Sequence, residues 1–165
     1  MSLWQMRQME QSTQQIVAHE MPSVADSTNL RALWNRFRRA EAGVLNVRDQ
    51  SELAGYEKQI QQLMQSIEAV EQSYRSLEHS PQERVLMTEY EKLRQVYLDS
   101  HQTFIKAARN KDYSQPEGDL LLGDEVTNLY SGMAEVNFAA MVECLGRIST
   151  ASTQSAAQAL SIIHI

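Results

Sequence analysis

Four arginines fall within the nine residues Arg31-Ala32-Leu33-Trp34-Asn35-Arg36-Phe37-Arg38-Arg39, the densest cationic run in a chain of net charge -6. A guanidinium is a planar fork of donors that stays charged and pairs two N–H groups with one carboxylate. The chemistry offered is therefore anion recognition, not bond making. On a helix, at about 100° per residue, Arg31, Trp34, Arg38 and Leu45 form a stripe roughly 120° from the apolar stripe of the same segment. Arg36 falls near the other flank of that stripe, and Arg39 nearly opposite it. A tryptophan and a leucine held off the core predict a second contact surface, most simply a homodimer face. Arginines there would repel their two-fold mates unless an anion lies between them. The plain alternative is a solvated, salt-bridged surface, with Glu41 following the run.

Other chemistry is not supported. His19, His79, His101 and His164 have no partner histidine three to five residues away and no glutamate three before, so the Glu-x-x-His pairs of di-iron bundles are missing. Gly118 and Gly123 stand outside any phosphate-cradling pattern. Cys144 is the single cysteine, which excludes an internal disulfide and reads as a small buried thiol. The acidic residues of the second and third helical segments read as solvated faces. No enzyme, metal or cofactor is expected, and the acidic balance argues against nucleic acid.

The elements that must carry these residues are helices. Leu30, Leu33, Phe37, Ala40, Val44 and Val47 alternate three and four apart, the spacing of one helical face. Leu53, Tyr56, Ile60, Leu63, Ile67, Val70, Tyr74 and Leu77 repeat it, and so does the series Leu86, Tyr90, Leu93, Tyr97, Ser100, Phe104, Ala107. A fourth stripe runs Leu122, Val126, Leu129, Met133, Val136, Ala140, Cys144, Ile148. The reading is one all-α domain over 1–165, an up-down-up-down antiparallel four-helix bundle with helices at about 3–48, 52–78, 81–109 and 119–163. Pro22 predicts a kink near Met21 to Ser23 in the first helix, with Asp26, Ser27 and Thr28 as restarting caps. Ser51 is read as the cap of the second helix, Ser80 with Pro81 as the start of the third. The first and last helices are longer than the middle pair and so protrude together at one end. No apolar run is long enough to span a membrane, and the start lacks a secretory signal.

With Met21-Pro22-Ser23-Val24 before the arginine run and Asn110-Lys111-Asp112-Tyr113-Ser114-Gln115-Pro116 before the fourth helix, the chain resembles the periplasmic four-helix-bundle sensor domain of bacterial methyl-accepting chemotaxis receptors, the class that includes the aspartate receptor. The resemblance covers nearly the whole chain. It implies a periplasmic domain of an inner-membrane protein, dimeric, joined to the membrane by flanking transmembrane helices that this chain lacks. It also implies a ligand held by first-helix arginines of both subunits and by the start of the fourth helix. The first-helix counterparts are Arg31 and one or more of Asn35, Arg36, Arg38 and Arg39, and those before the fourth helix are Tyr113, Gln115 and Pro116; Trp34 joins them from the arginine stripe. Glu117 stands where the aspartate receptor has a threonine, which disfavours the aspartate pose. The expected ligand is instead a small organic acid, ring-bearing or a di- or tricarboxylate, with Trp34 as a flat wall. Competing readings are a soluble bundle that binds an acidic partner, or the sensor domain of a histidine kinase or cyclase.

Overall fold

In the computed structural model, residues 2–15, 21–114 and 124–163 are described. They form six helices: α1 (Leu3–Gln15), α2 (Met21–Val44), α3 (Gln50–Arg75), α4 (Pro81–Asn110), α5 (Glu125–Ser131) and α6 (Met133–Ile163). No strand occurs among the described residues. α2, α3, α4 and α6 form the four-helix ring, and side-chain pairs give its directions. Asp26 of α2 meets Ser73 of α3, and Arg109 of α4 meets Glu57 of α3. Ser27 of α2 meets Ser149 of α6 while Arg38 meets Glu135, so these neighbours also run antiparallel. α2 and α4 are the parallel diagonal. α1 packs on α6, and the two extend together past the end where α3 stops and α4 starts.

Local chemistry sets most of the helix ends. Asp49, not Ser51, caps α3, its carboxylate accepting from the Glu52 amide at 2.8 Å. Ser80 caps α4 in a reciprocal box with Glu83, and Pro81 sits in the first turn, where its missing donor costs nothing. Pro22 likewise lies in the first turn of α2; the segment 16–20 before it falls outside the described residues. Asp26, Ser27 and Thr28 are inside α2 and do not cap it; the Ser27 hydroxyl is buried and donates to the Val24 carbonyl.

The largest departure from the expected helices is a break at Gly132, between α5 and α6, where one continuous helix was expected. The Gly132 backbone is non-helical, and a Cβ there would come within 2.9 Å of the Asn128 carbonyl oxygen. The break resets the rotational phase of the stripe. Met133 and Val136 are 67% and 58% exposed, and Ala134, Met141 and Leu145 take the core positions beside Cys144 and Ile148. Leu122 lies outside the described residues.

Elsewhere the stripes reach the core. Leu30, Phe37 and Val44 of α2 pack with Leu53, Ile60 and Ile67 of α3, and with Tyr90, Tyr97 and Phe104 of α4. Trp34 corrects the sequence reading outright: it is fully buried. Its ring meets Phe37 and Tyr97 edge-on at 5.2 and 5.7 Å, and its indole N–H donates to the Tyr90 hydroxyl at 2.8 Å. The buried arc of a bundle helix is wider than a two-position seam, so a residue on the flank of the stripe is also covered. Leu45 is half-buried against the same core. Replacing Trp34 with alanine is expected to cost about 3–5 kcal/mol, read from urea unfolding midpoints.

Candidate functional site

Arg38 lies on the flank of α2 that faces α6, and its side chain is only 8% exposed. Nη1 donates to Glu41 Oε2 at 3.0 Å, and Nη2 donates to Glu135 Oε2 at 2.7 Å and to the Tyr130 carbonyl at 2.6 Å. Tyr130 belongs to the last turn of α5, whose carbonyls lose their helical donors at Gly132. Arg38 thus supplies the donor that the helix break removes. Its guanidinium also sits 3.6 Å from the Tyr130 ring centroid, and Nε has no acceptor. Glu41 is itself buried and further held by the Tyr97 hydroxyl and by His101 Nδ1, the latter at 2.6 Å. An Arg38 so engaged has no free edge for a ligand carboxylate.

Two more carboxylates are buried where solvated faces were expected. Glu71 accepts from the Tyr90 hydroxyl at 3.3 Å, with Arg94 Nε 2.9 Å from the same oxygen. Burial raises the Glu71 pKa above 4.5, against the pull of Arg94 and Arg75. Glu83 accepts from the buried Ser152 hydroxyl while serving the α4 capping box. Burial and nearby carboxylates push the Tyr90 and Tyr97 hydroxyls well above their ordinary value, so both remain protonated donors. Cys144 is the buried thiol expected, pushed up to about 11 by burial. Among the described residues no cluster of His, Cys, Asp or Glu has the makings of a metal site.

The remaining members of the arginine run behave differently. Arg31, Asn35, Arg36 and Arg39 are exposed on the outer side of α2. Arg31, Arg36 and Arg39 have no carboxylate partner among the described residues, whereas Arg48, Arg75, Arg94, Arg109 and Arg147 each have one. Arg31 borders a shallow groove of about 690 Å³ between α2 and α6, together with Phe138, Val142 and Arg147. Tyr113 is half-buried beyond the end of α4; its hydroxyl donates to the Ala108 carbonyl at 2.9 Å, and the cation near its ring is Lys111. Gln115, Pro116 and Glu117 lie outside the described residues.

Of the expected site residues, then, Arg31, Asn35 and Arg39 share an accessible face, while Trp34 and Arg38 are structural. Sequence reasoning missed Glu41, Glu71, Glu135 and His101. The available signal was position: Glu41 follows Phe37 by four and sits on the core stripe.

Residues 1–161 match the family described as a four helix bundle sensory module for signal transduction, and the chain belongs to that family. No curated protein and no solved structure matches the chain. The family is a non-catalytic one, typical of chemotaxis-receptor sensors, and the chain is a sensory module of that kind. No helix of the described residues is long and apolar enough to cross a membrane.

Removing Arg38 leaves Glu41 buried with only polar, uncharged partners or a histidine. Arg38→Ala is expected to destabilise the fold by about 3–5 kcal/mol in denaturant titration, the range for breaking one side of a buried pair. Arg38→Lys should recover only part of this, since one ammonium cannot serve Glu41, Glu135 and the Tyr130 carbonyl together. For Glu71 the linkage runs the other way from a surface ion pair. A folded-state pKa above the unfolded value gives stability that is complete below about 4.5 and declines as pH rises through the higher folded value. The melting temperature of Glu71→Gln relative to the parent protein should therefore rise between pH 4 and pH 7. A difference that stays flat across that window contradicts the raised pKa.

Proposed function

We propose that this module is the periplasmic sensor domain of a methyl-accepting chemotaxis transducer that recognises a small organic acid as a homodimer. The observation that carries the reading is the unpaired arginine face. Arg31, Arg36 and Arg39 stand without carboxylates on one helix of an acidic protein whose other helix-borne arginines are mostly paired. Asn35 adds a neutral donor and acceptor to the same face, whereas Tyr113 stands apart from it beyond the end of α4. Trp34 and Arg38 act from behind, by fixing the orientation of α2. The exposed Met133 and Val136 of α6 offer the second copy an apolar contact.

Signalling in this reading needs no chemistry. A ligand that binds one arrangement of α2 and α6 more tightly than another shifts the population between them. Displacements of about 1–2 Å along a helix are an established means of transmission. α1 and the far part of α6 extend together past the ring, which suits them to carry such a shift toward flanking membrane helices.

Calorimetric titration of the protein with acyclic di- and tricarboxylates and with ring-bearing acids tests the proposal. Arg31→Ala and Arg39→Ala are each expected to weaken binding at least tenfold, about 1.4 kcal/mol, with sedimentation showing ligand-favoured dimer. Undiminished binding in both variants rejects the assigned face.

A further inference from the structure

The ring of four helices is open on one side. α3 and α4 are tied by Arg109 Nε to Glu57 Oε1 at 2.6 Å toward one end and by Arg75 Nη2 to Glu91 Oε1 at 3.1 Å toward the other. Along the side between these helices lies a cleft of about 740 Å³, within the usual size of small-molecule sites. Phe37, Ile60, Met64, Leu98 and Ile105 give it an apolar lining. Well-packed helices would fill such a space, and the core beneath it is otherwise close-packed with aromatic rings.

Two nitrogen-bearing side chains of α4, Arg94 and His101, also line this cleft. Each is anchored from behind by a buried carboxylate. Arg94 Nε lies 2.9 Å from Glu71, and His101 Nδ1 lies 2.6 Å from Glu41. That arrangement fixes both rotamers and leaves Arg94 Nη1 and His101 Nε2 for a guest, with Arg94 Nη2 donating to Met64 Sδ at 3.8 Å. The two residues are two turns apart on one helix, roughly 10 Å along its axis. A group held in place by a second, buried partner loses little freedom when it binds, so its contacts count more fully toward affinity.

We propose that the α3–α4 cleft is a binding site, within a single bundle, for a ring-bearing monocarboxylate. The carboxylate pairs with the outer edge of the Arg94 guanidinium. The ring lies on Met64 and Leu98, the partly exposed apolar side chains of the lining, and a polar ring substituent faces His101. The Glu57–Arg109 and Arg75–Glu91 pairs bound the opening at both ends, which favours a compact guest over a long peptide helix. This site is separate from the outer arginine face of α2 and does not require the second copy. His101 is also the first member of a bonded series, His101–Glu41–Arg38–Glu135, that runs from the cleft through α2 to the start of α6. A guest that moves His101 therefore acts on the helix break at Gly132.

The test is calorimetric titration of the full chain with benzoate and 4-hydroxybenzoate, with succinate as an acyclic comparison. Saturable binding of the aromatic acids is expected, at least tenfold tighter than succinate. Gln61, exposed at the rim of the cleft, can be enlarged without touching the core. Gln61→Trp and Arg94→Gln should each weaken benzoate at least tenfold, and Arg31→Ala should leave it unchanged. Circular dichroism melting separates loss of binding from loss of fold for Arg94→Gln, and Gln61→Trp stands if that variant does not fold. No saturable binding of either aromatic acid overturns the proposal, as does binding that survives Gln61→Trp. Binding lost in Arg31→Ala but kept in the cleft variants also overturns it, and leaves the outer arginine face as the site.

Discussion

Buried charge is the constraint around which this bundle is arranged, and the Arg38–Glu41 pair is its clearest case. An ion taken out of water is costly unless its partners are close and well directed. Glu41 meets that condition only because α2 supplies Arg38 and α4 supplies Tyr97 and His101. Arg38 meets it only because α5 and α6 supply the Tyr130 carbonyl and Glu135. The pair therefore fixes three helices and the α5–α6 junction relative to one another. A purely apolar layer packs as densely but tolerates sliding, whereas this network has one satisfactory register.

The same demand recurs along the bundle. Glu71 sits among Tyr90, Arg75 and Arg94, with Trp34 behind Tyr90, and Glu83 between the α4 start and Ser152 of α6. Glu41 joins α2 to α4 and Glu83 joins α4 to α6, helices that are not neighbours in sequence, while Glu71 joins the consecutive α3 and α4. Away from Glu71, α3 and α4 are joined by the more exposed Arg109–Glu57 and Arg75–Glu91 pairs, of the kind worth about 1 kcal/mol or less. The α3–α4 side of the ring is accordingly the open one.

How much of this was legible beforehand follows from what each stripe encodes. Helical periodicity is a property of neighbours in sequence, so Leu53 through Tyr74 and Leu86 through Phe104 could be placed on their faces from spacing alone. Core phase past Gly132 could not, because one non-helical residue rotates everything after it, and Met133 and Val136 moved to the surface. The Ser131-Gly132 pair is the local signal, but the apolar spacing from Leu129 to Met133 runs across it. Trp34 and Arg38 were misplaced for a different reason. Their helical angle was read correctly, but how wide an arc α6 and α4 would cover is a fact of tertiary packing. The carboxylates went the same way: Glu71 looks like its solvated neighbours until Arg94 and Tyr90 are seen beside it.

In the proposed reading, the division of the arginine run into a buried member and exposed ones would couple a ligand on the outer face to the fold. An exposed guanidinium on a mobile helix would bind an anion with little consequence for the fold. Here the exposed arginines share α2 with Arg38, whose partners span the break into α6. Force applied at the outer face is thus passed to a helix that cannot shift without disturbing Glu41 or Glu135. Two arrangements of α2 against α6 need differ by only a few kcal/mol for a ligand of modest selectivity to exchange their populations. A single buried hydrogen bond to a charged group is worth about 1.5–3 kcal/mol, so loss or remaking of one Arg38 contact is of the right size to set that difference.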